Sequence, residues 1–156
     1  MGNYLSDLYP EGCPKGVGIK EKLAPRQAAH SSGVGYIGEE KFLKECLRRG
    51  FEVVDRRKWA KFDFIVNRKL VEVKASSRRF IDKKKEKKGW NFTLEHNVGH
   101  FDFVACYCQQ EGRAGKSFWL ILPLSEVTKT GFYFTPQVEK NAAKFAPFID
   151  RWDLLV

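Results

Sequence analysis

Two apolar runs, each broken by a carboxylate, flank the dipeptide Asn67-Arg68. Phe62-Asp63-Phe64-Ile65-Val66 precedes it, and Lys69-Leu70-Val71-Glu72-Val73-Lys74 follows. Runs rich in β-branched and aromatic residues favour strands, and a two-residue polar break favours a hairpin. Arg is a poor choice where such a turn needs a positive φ. With Asn67 and Arg68 as the turn, Val66 faces Lys69, Ile65 faces Leu70, Phe64 faces Val71 and Asp63 faces Glu72. Opposed residues share a sheet face, so the two carboxylates repel unless something neutralises them. Lys74 lies two residues beyond Glu72 and points the same way. A bound divalent cation is the simplest neutraliser, because hard cations take carboxylate oxygen. An ammonium beside two acids can orient a water and stabilise charge on an attacked phosphate.

A helix precedes this hairpin. From Gly38, the residues Glu39, Phe42, Leu43, Cys46 and Leu47 recur at helical spacing on one face. Basic residues fill the last turn and Gly50 follows as a C-terminal cap. Glu39 is out of place on that apolar face. Alone it reads as a first-turn acid favoured by the helix dipole. Joined to Asp63, Glu72 and Lys74, it makes a set of three acids and one Lys able to hold one or two Mg²⁺ ions.

Residues 51–54 read as a short strand and 90–94 as extended. Stretches 101–108 and 118–122 read as strands joined by a turn at 112–115. A short helix is expected at 124–128, and a helical tail from about 138 to 155, interrupted at Pro147. Residues 1–32 carry Pro10, Pro14 and Pro25 without a sustained period and read as an arm or lead-in segment. Residues 33–156 then form one domain, which suits a chain of 156 residues.

Charge narrows the partners. Residues 41–90 hold 18 basic and 7 acidic side chains, and the rest of the chain 10 and 12. One contiguous third carries the whole positive field, so a polyanion is the natural partner and nucleic acid the commonest. Lys58, Lys61, Arg78 and Arg79 flank the acids and are candidate phosphate contacts. Lys83, Lys84 and Lys85 open the run ending at Lys88, read as a solvated loop that tracks a backbone. Ordinary exposed charge is the competing reading for each. Trp59 is a stacking residue or, more commonly, core.

No apolar run is long enough to span a bilayer, and no signal-like N-terminus is seen. Four Cys at irregular spacing suit an intracellular protein rather than a disulfide scaffold. Cys106 and Cys108 are one residue apart, short of usual zinc spacing, and read as buried thiols rather than as a zinc site with His96 and His100. The role of Asp102 stays open.

Gly38-Glu39 on a helix ending at Gly50, then Phe62-Asp63-Phe64-Ile65-Val66, then Val71-Glu72-Val73-Lys74-Ala75-Ser76, resemble the PD-(D/E)XK nuclease superfamily in order and spacing. The resemblance covers about residues 35–76. Phe62 departs from the Pro of the family name. The resemblance implies an α/β fold with a restriction-endonuclease-like core, a central mixed β-sheet flanked by helices on both sides. It implies that Asp63, Glu72 and the carbonyl of Val73 ligate Mg²⁺, or Mn²⁺ in its place. Lys74 would position the attacking water, and Glu39 would assist a metal directly or through water. The implied activity is hydrolysis of DNA phosphodiesters by a homodimer, with no organic cofactor and no membrane. Homing, restriction and Holliday junction resolving enzymes all remain open. A non-catalytic DNA-binding module and a protein whose basic face meets an acidic partner are the other classes.

Overall fold

A computed structural model describes residues 33–57, 60–94, 99–110, 115–127 and 130–156. The expected arm at 1–32 lies outside the described residues, as do Lys58, Trp59, His96 and most of the expected turn at 112–115.

Helix α1 spans Gly33–Arg48. It starts before Gly38, so Glu39 sits in its second turn and not in its first, contrary to the dipole reading. Gly38 has another task. A Cβ there would lie 2.6 Å from the Cβ of Ala75, so only glycine lets α1 approach the sheet this closely. The cap at Gly50 is as expected. Gly50 has φ of 74° and donates to the Leu47 carbonyl, while Phe51 donates to that of Cys46.

The central sheet has five strands: β1 (Val53–Asp55), β2 (Phe64–Val66), β3 (Lys69–Ser77), β6 (Phe103–Gln109) and β7 (Phe118–Pro123). They stand in the order β1-β2-β3-β6-β7. The β3–β6 pair is parallel and the rest antiparallel, so the sheet is mixed. Asp102 pins the parallel pair at its start. Its backbone N–H donates to the Leu70 carbonyl, and its carboxylate accepts the Leu70 N–H at 2.8 Å. That answers the open question about an acid in an apolar stretch.

One face of this sheet packs on α1. Phe42 is fully buried, with ring centroids of Phe64, Trp119 and Trp152 at 5.4–5.6 Å. Burial of such a side chain contributes about 1.5–3 kcal/mol. Trp152 and Leu155 close this core from a C-terminal 3-10 turn, Trp152–Leu155.

The other face differs from the expected helical layer. It is covered mainly by a second sheet of β4 (Arg79–Asp82), β5 (Lys87–Thr93) and β8 (Gly131–Phe134). Trp90 and Phe92 point into this second core, and Trp90 stacks on Phe134. Helix α2 (Glu139–Phe145) seats Phe145 against Phe132 and Phe134. The tail is thus one short helix and two 3-10 turns, with Pro147 in the first of them. The expected helix at 124–128 is a 3-10 turn, Leu124–Glu126. The basic run is the tip and outgoing strand of the β4–β5 hairpin, where a loop was expected. Among the described residues, no helix is long and apolar enough to cross a membrane.

Candidate active site

The β2–β3 hairpin has the expected register from its turn upward: Val66 opposite Lys69, Ile65 opposite Leu70, Phe64 opposite Val71. Both turn residues have positive φ, Asn67 at 46° and Arg68 at 70°. The expected pairing of Asp63 with Glu72 does not follow. The Asp63 N–H donates to the Val71 carbonyl at 3.1 Å, so Asp63 and Phe64 both stand opposite Val71, as in a bulge. A bulge re-aims the side chain it carries. The Asp63 carboxylate turns to the edge of β3 and accepts the Val73 N–H at 2.8 Å. It takes the place a backbone carbonyl of β2 would hold if that strand continued.

Glu72 and Lys74 oppose Val104 and Cys106 in the parallel ladder, so they share those residues' face of the sheet, the one turned to the second core. Glu72 is only 3% exposed, and its Oε1 lies 2.6 Å from Nζ of the half-buried Lys74. Burial pushes the Asp63 carboxyl up to about 7, helped by the charges of Glu72 and Glu39; the Val73 N–H and Lys74 pull the other way. Asp63 therefore feels the charges of Glu72, Lys74 and Glu39, although Asp63 and Glu72 are not cross-strand partners.

Glu39 comes from the helix-covered side, and a residue not singled out in the sequence holds it. Arg57, with its side chain 8% exposed, places Nη1 3.3 Å from Glu39 Oε2 and 2.8 Å from Glu40 Oε1, and Nη2 2.6 Å from Asp55 Oδ2. Its guanidinium lies 5.1 Å from the Phe64 ring centroid. In sequence it is one more cation in Arg56-Arg57-Lys58, and no local signal sets it apart.

The donor set suits a hard divalent cation. With Asp63 ionised, two carboxylates face one ammonium, and a cation would offset the remaining negative charge. Among the described residues, no three His, Cys, Asp or Glu side chains gather into a ready metal centre. Magnesium does not require one, since it takes one or two carboxylates and keeps several waters.

The remaining candidates divide. Lys61, Arg79, Lys83, Lys84 and Lys85 are exposed. Arg78 is turned inward: its guanidinium lies 5.8 Å from the Trp90 ring centroid, with Nη1 3.5 Å from Gln110 Oε1. Lys61 and His100 line an open groove of about 390 Å³ floored by Phe62, Leu70 and Phe101. Cys106 and Cys108 are buried thiols, and burial raises the pKa of both.

No protein-family model and no curated protein matches this sequence. Among solved structures, a bacterial homing endonuclease, I-Ssp6803I, matches with a TM-score of 0.54. The match covers 78% of this chain and 89% of that one at 16% identity. The α/β architecture with a central mixed sheet is therefore one this chain shares with a nuclease.

Proposed function

We propose that this chain is a metal-dependent DNA endonuclease of the PD-(D/E)XK type, acting as a homodimer on double-stranded or branched DNA. One observation carries the reading: a bulge aims Asp63 at the edge of β3, beside a buried Glu72 that is ion-paired to Lys74. The shared fold of a homing endonuclease supports it, as does the basic excess in residues 41–90.

Asp63 and Glu72, with the Val73 carbonyl, would hold Mg²⁺ or Mn²⁺. A divalent ion held there would supply polarisation of the scissile phosphate and a lowered pKa for bound water. Lys74 is tethered at Glu72 yet 29% exposed, so its ammonium can turn to a water or phosphate oxygen as charge builds. Glu39 adds negative field from α1. Lys61, Arg79, Lys83, Lys84 and Lys85 would dock the phosphate backbone, as would Lys58; such contacts position DNA without reading its sequence.

The test is incubation with linear, supercoiled and four-way-junction DNA, each with Mg²⁺ and with EDTA. Cleavage that needs Mg²⁺ is the expected result. Preference for a duplex site marks the homing or restriction branch, and preference for the junction marks a resolvase. Salt-sensitive binding without cleavage of any substrate would leave a DNA-binding module on the same fold.

A further inference from the structure

We infer that Arg57 is a positioning residue that withholds Glu39 from the metal, so that each chain takes one divalent ion and not two. This rests on the metal reading of Asp63 and Glu72 proposed above. The resemblance has Glu39 assist a metal directly or through water. The geometry gives it another partner. Arg57 reaches Glu39, Glu40 and Asp55 together, at 3.3, 2.8 and 2.6 Å. A planar guanidinium fork suits several carboxylates at once, which an ammonium does not. The Phe64 ring at 5.1 Å and the near-complete burial of the side chain hold the fork in place.

The segment carrying Arg57 is fastened to the site itself. The Arg56 N–H donates to the Asp63 carbonyl at 2.8 Å, and the Ala60 N–H to the Arg56 carbonyl at 3.1 Å. Arg57 thus couples the α1 acids to the residue at the centre of the site. Glu39 acts on Asp63 through its charge, and Arg57 is a cation paired with the Glu39 carboxylate. Asp63 and Glu72 keep the ligand role, and Glu39 acts through its charge. An Arg-bound carboxylate is a poor ligand for a second hard cation, which would have to displace a buried ion pair.

The probe is Mn²⁺ alone, counted per chain by electron paramagnetic resonance and by calorimetry, in the absence of DNA. The wild-type chain should bind one ion. Glu39→Gln should still bind one, with affinity reduced by less than about tenfold, as expected for a lost non-ligating charge. Arg57→Gln should bind a second, weaker ion, and adding Glu39→Gln to it should abolish that second site. Two ions on the wild-type chain would overturn the inference and leave the metal reading standing. So would loss of the single ion in Glu39→Gln, or an unchanged count in a folded Arg57→Gln variant. If Arg57→Gln does not fold, the wild-type and Glu39→Gln counts still decide. No saturable Mn²⁺ uptake by the wild-type chain would remove the metal reading and the inference with it.

Discussion

At its turn, the β2–β3 hairpin is closed by hydrogen bonds to Glu52 and Leu155; at its open end the same two strands part around a bulge. At the turn, the Asn67 side chain accepts the Glu52 N–H at 3.0 Å and donates to the Leu155 carbonyl at 2.9 Å. The Asn67 N–H also donates to the Glu52 carbonyl. Polar groups there meet polar partners, and the ladder register is regular. At the open end, a carboxylate fills a backbone gap, and two acids share a buried place with a single ammonium. One end stabilises the fold. The other holds a carboxyl whose charged form is disfavoured, chiefly by burial and next by the charge of Glu72. Separation of the two within a dozen residues lets a short ribbon carry a regular ladder at one end and a bulged site at the other.

The largest effect should come from the open end. Asp63→Asn keeps the shape and removes the charge. DNA cleavage should fall by about 10³-fold or more, the scale of several kcal/mol of lost transition-state stabilisation. Binding at low salt should hardly change. Stability should move the other way. The folded Asp63 carboxyl lies near 7, raised from the ordinary 3.8. A raised folded value means the native state keeps a proton that the unfolded chain has released. Metal-free wild-type protein should therefore be favoured at low pH and lose stability as pH climbs from about 4 to about 7, with no further loss from this group above that. The curve for Asp63→Asn should lack that slope. Urea unfolding in EDTA across this range gives the difference; parallel curves would show that the folded Asp63 carboxyl is not raised.

The contrast also explains what the sequence could and could not reveal. The turn end follows from period-two alternation and turn chemistry, so the pairing of 64–66 with 69–71 was legible. The bulge was not, because alternation cannot register two residues opposite one. Asp63, Glu72 and Lys74 could be named together from the sequence, and their relative placement needed coordinates. Arg57 had no signature: Arg56 beside it is buried as well, and the reach of Arg57 to Glu39, Glu40 and Asp55 needed coordinates. The second sheet was hidden for a related reason. The lysines at the tip of β4–β5 look like solvated loop, and β8 is only four residues long. Their cohesion is tertiary: the Trp90 indole N–H donates to the Gln109 carbonyl at 2.9 Å, and the Asn91 N–H to the Ser76 hydroxyl at 3.2 Å.

A middle-sized effect should come from the turn. Asn67→Ala removes two side-chain hydrogen bonds that tie the hairpin to the start of β1 and to the C-terminal turn. It also leaves alanine at a φ of 46°. Together these should cost about 2–3 kcal/mol, at about 1 kcal/mol per bond plus the left-handed penalty. Denaturant melts measure the loss. Cleavage per folded molecule should stay at the wild-type level, because register at Val71 and Val73 is also held by β6. A proportional loss of activity in fully folded protein would show that the two ends are not independent.

The smallest effect tests the same independence from the opposite sign. Arg68 is exposed and sits at a φ of 70°, where an L side chain crowds its own carbonyl. Glycine adopts that conformation freely, so Arg68→Gly relieves about 1 kcal/mol of strain in the native state. The more flexible unfolded chain takes back part of this. The net gain should be about 0.5 kcal/mol, visible as a higher denaturation midpoint at an unchanged slope. Arg68 also carries one of the positive charges in the basic stretch, so the variant has a second readout. If the turn only stabilises, the salt dependence of DNA binding stays as in wild type; a shallower slope would mean that the turn reaches phosphate. That result would move one end of the hairpin from scaffold to interface, and the division between the two ends would have to be redrawn.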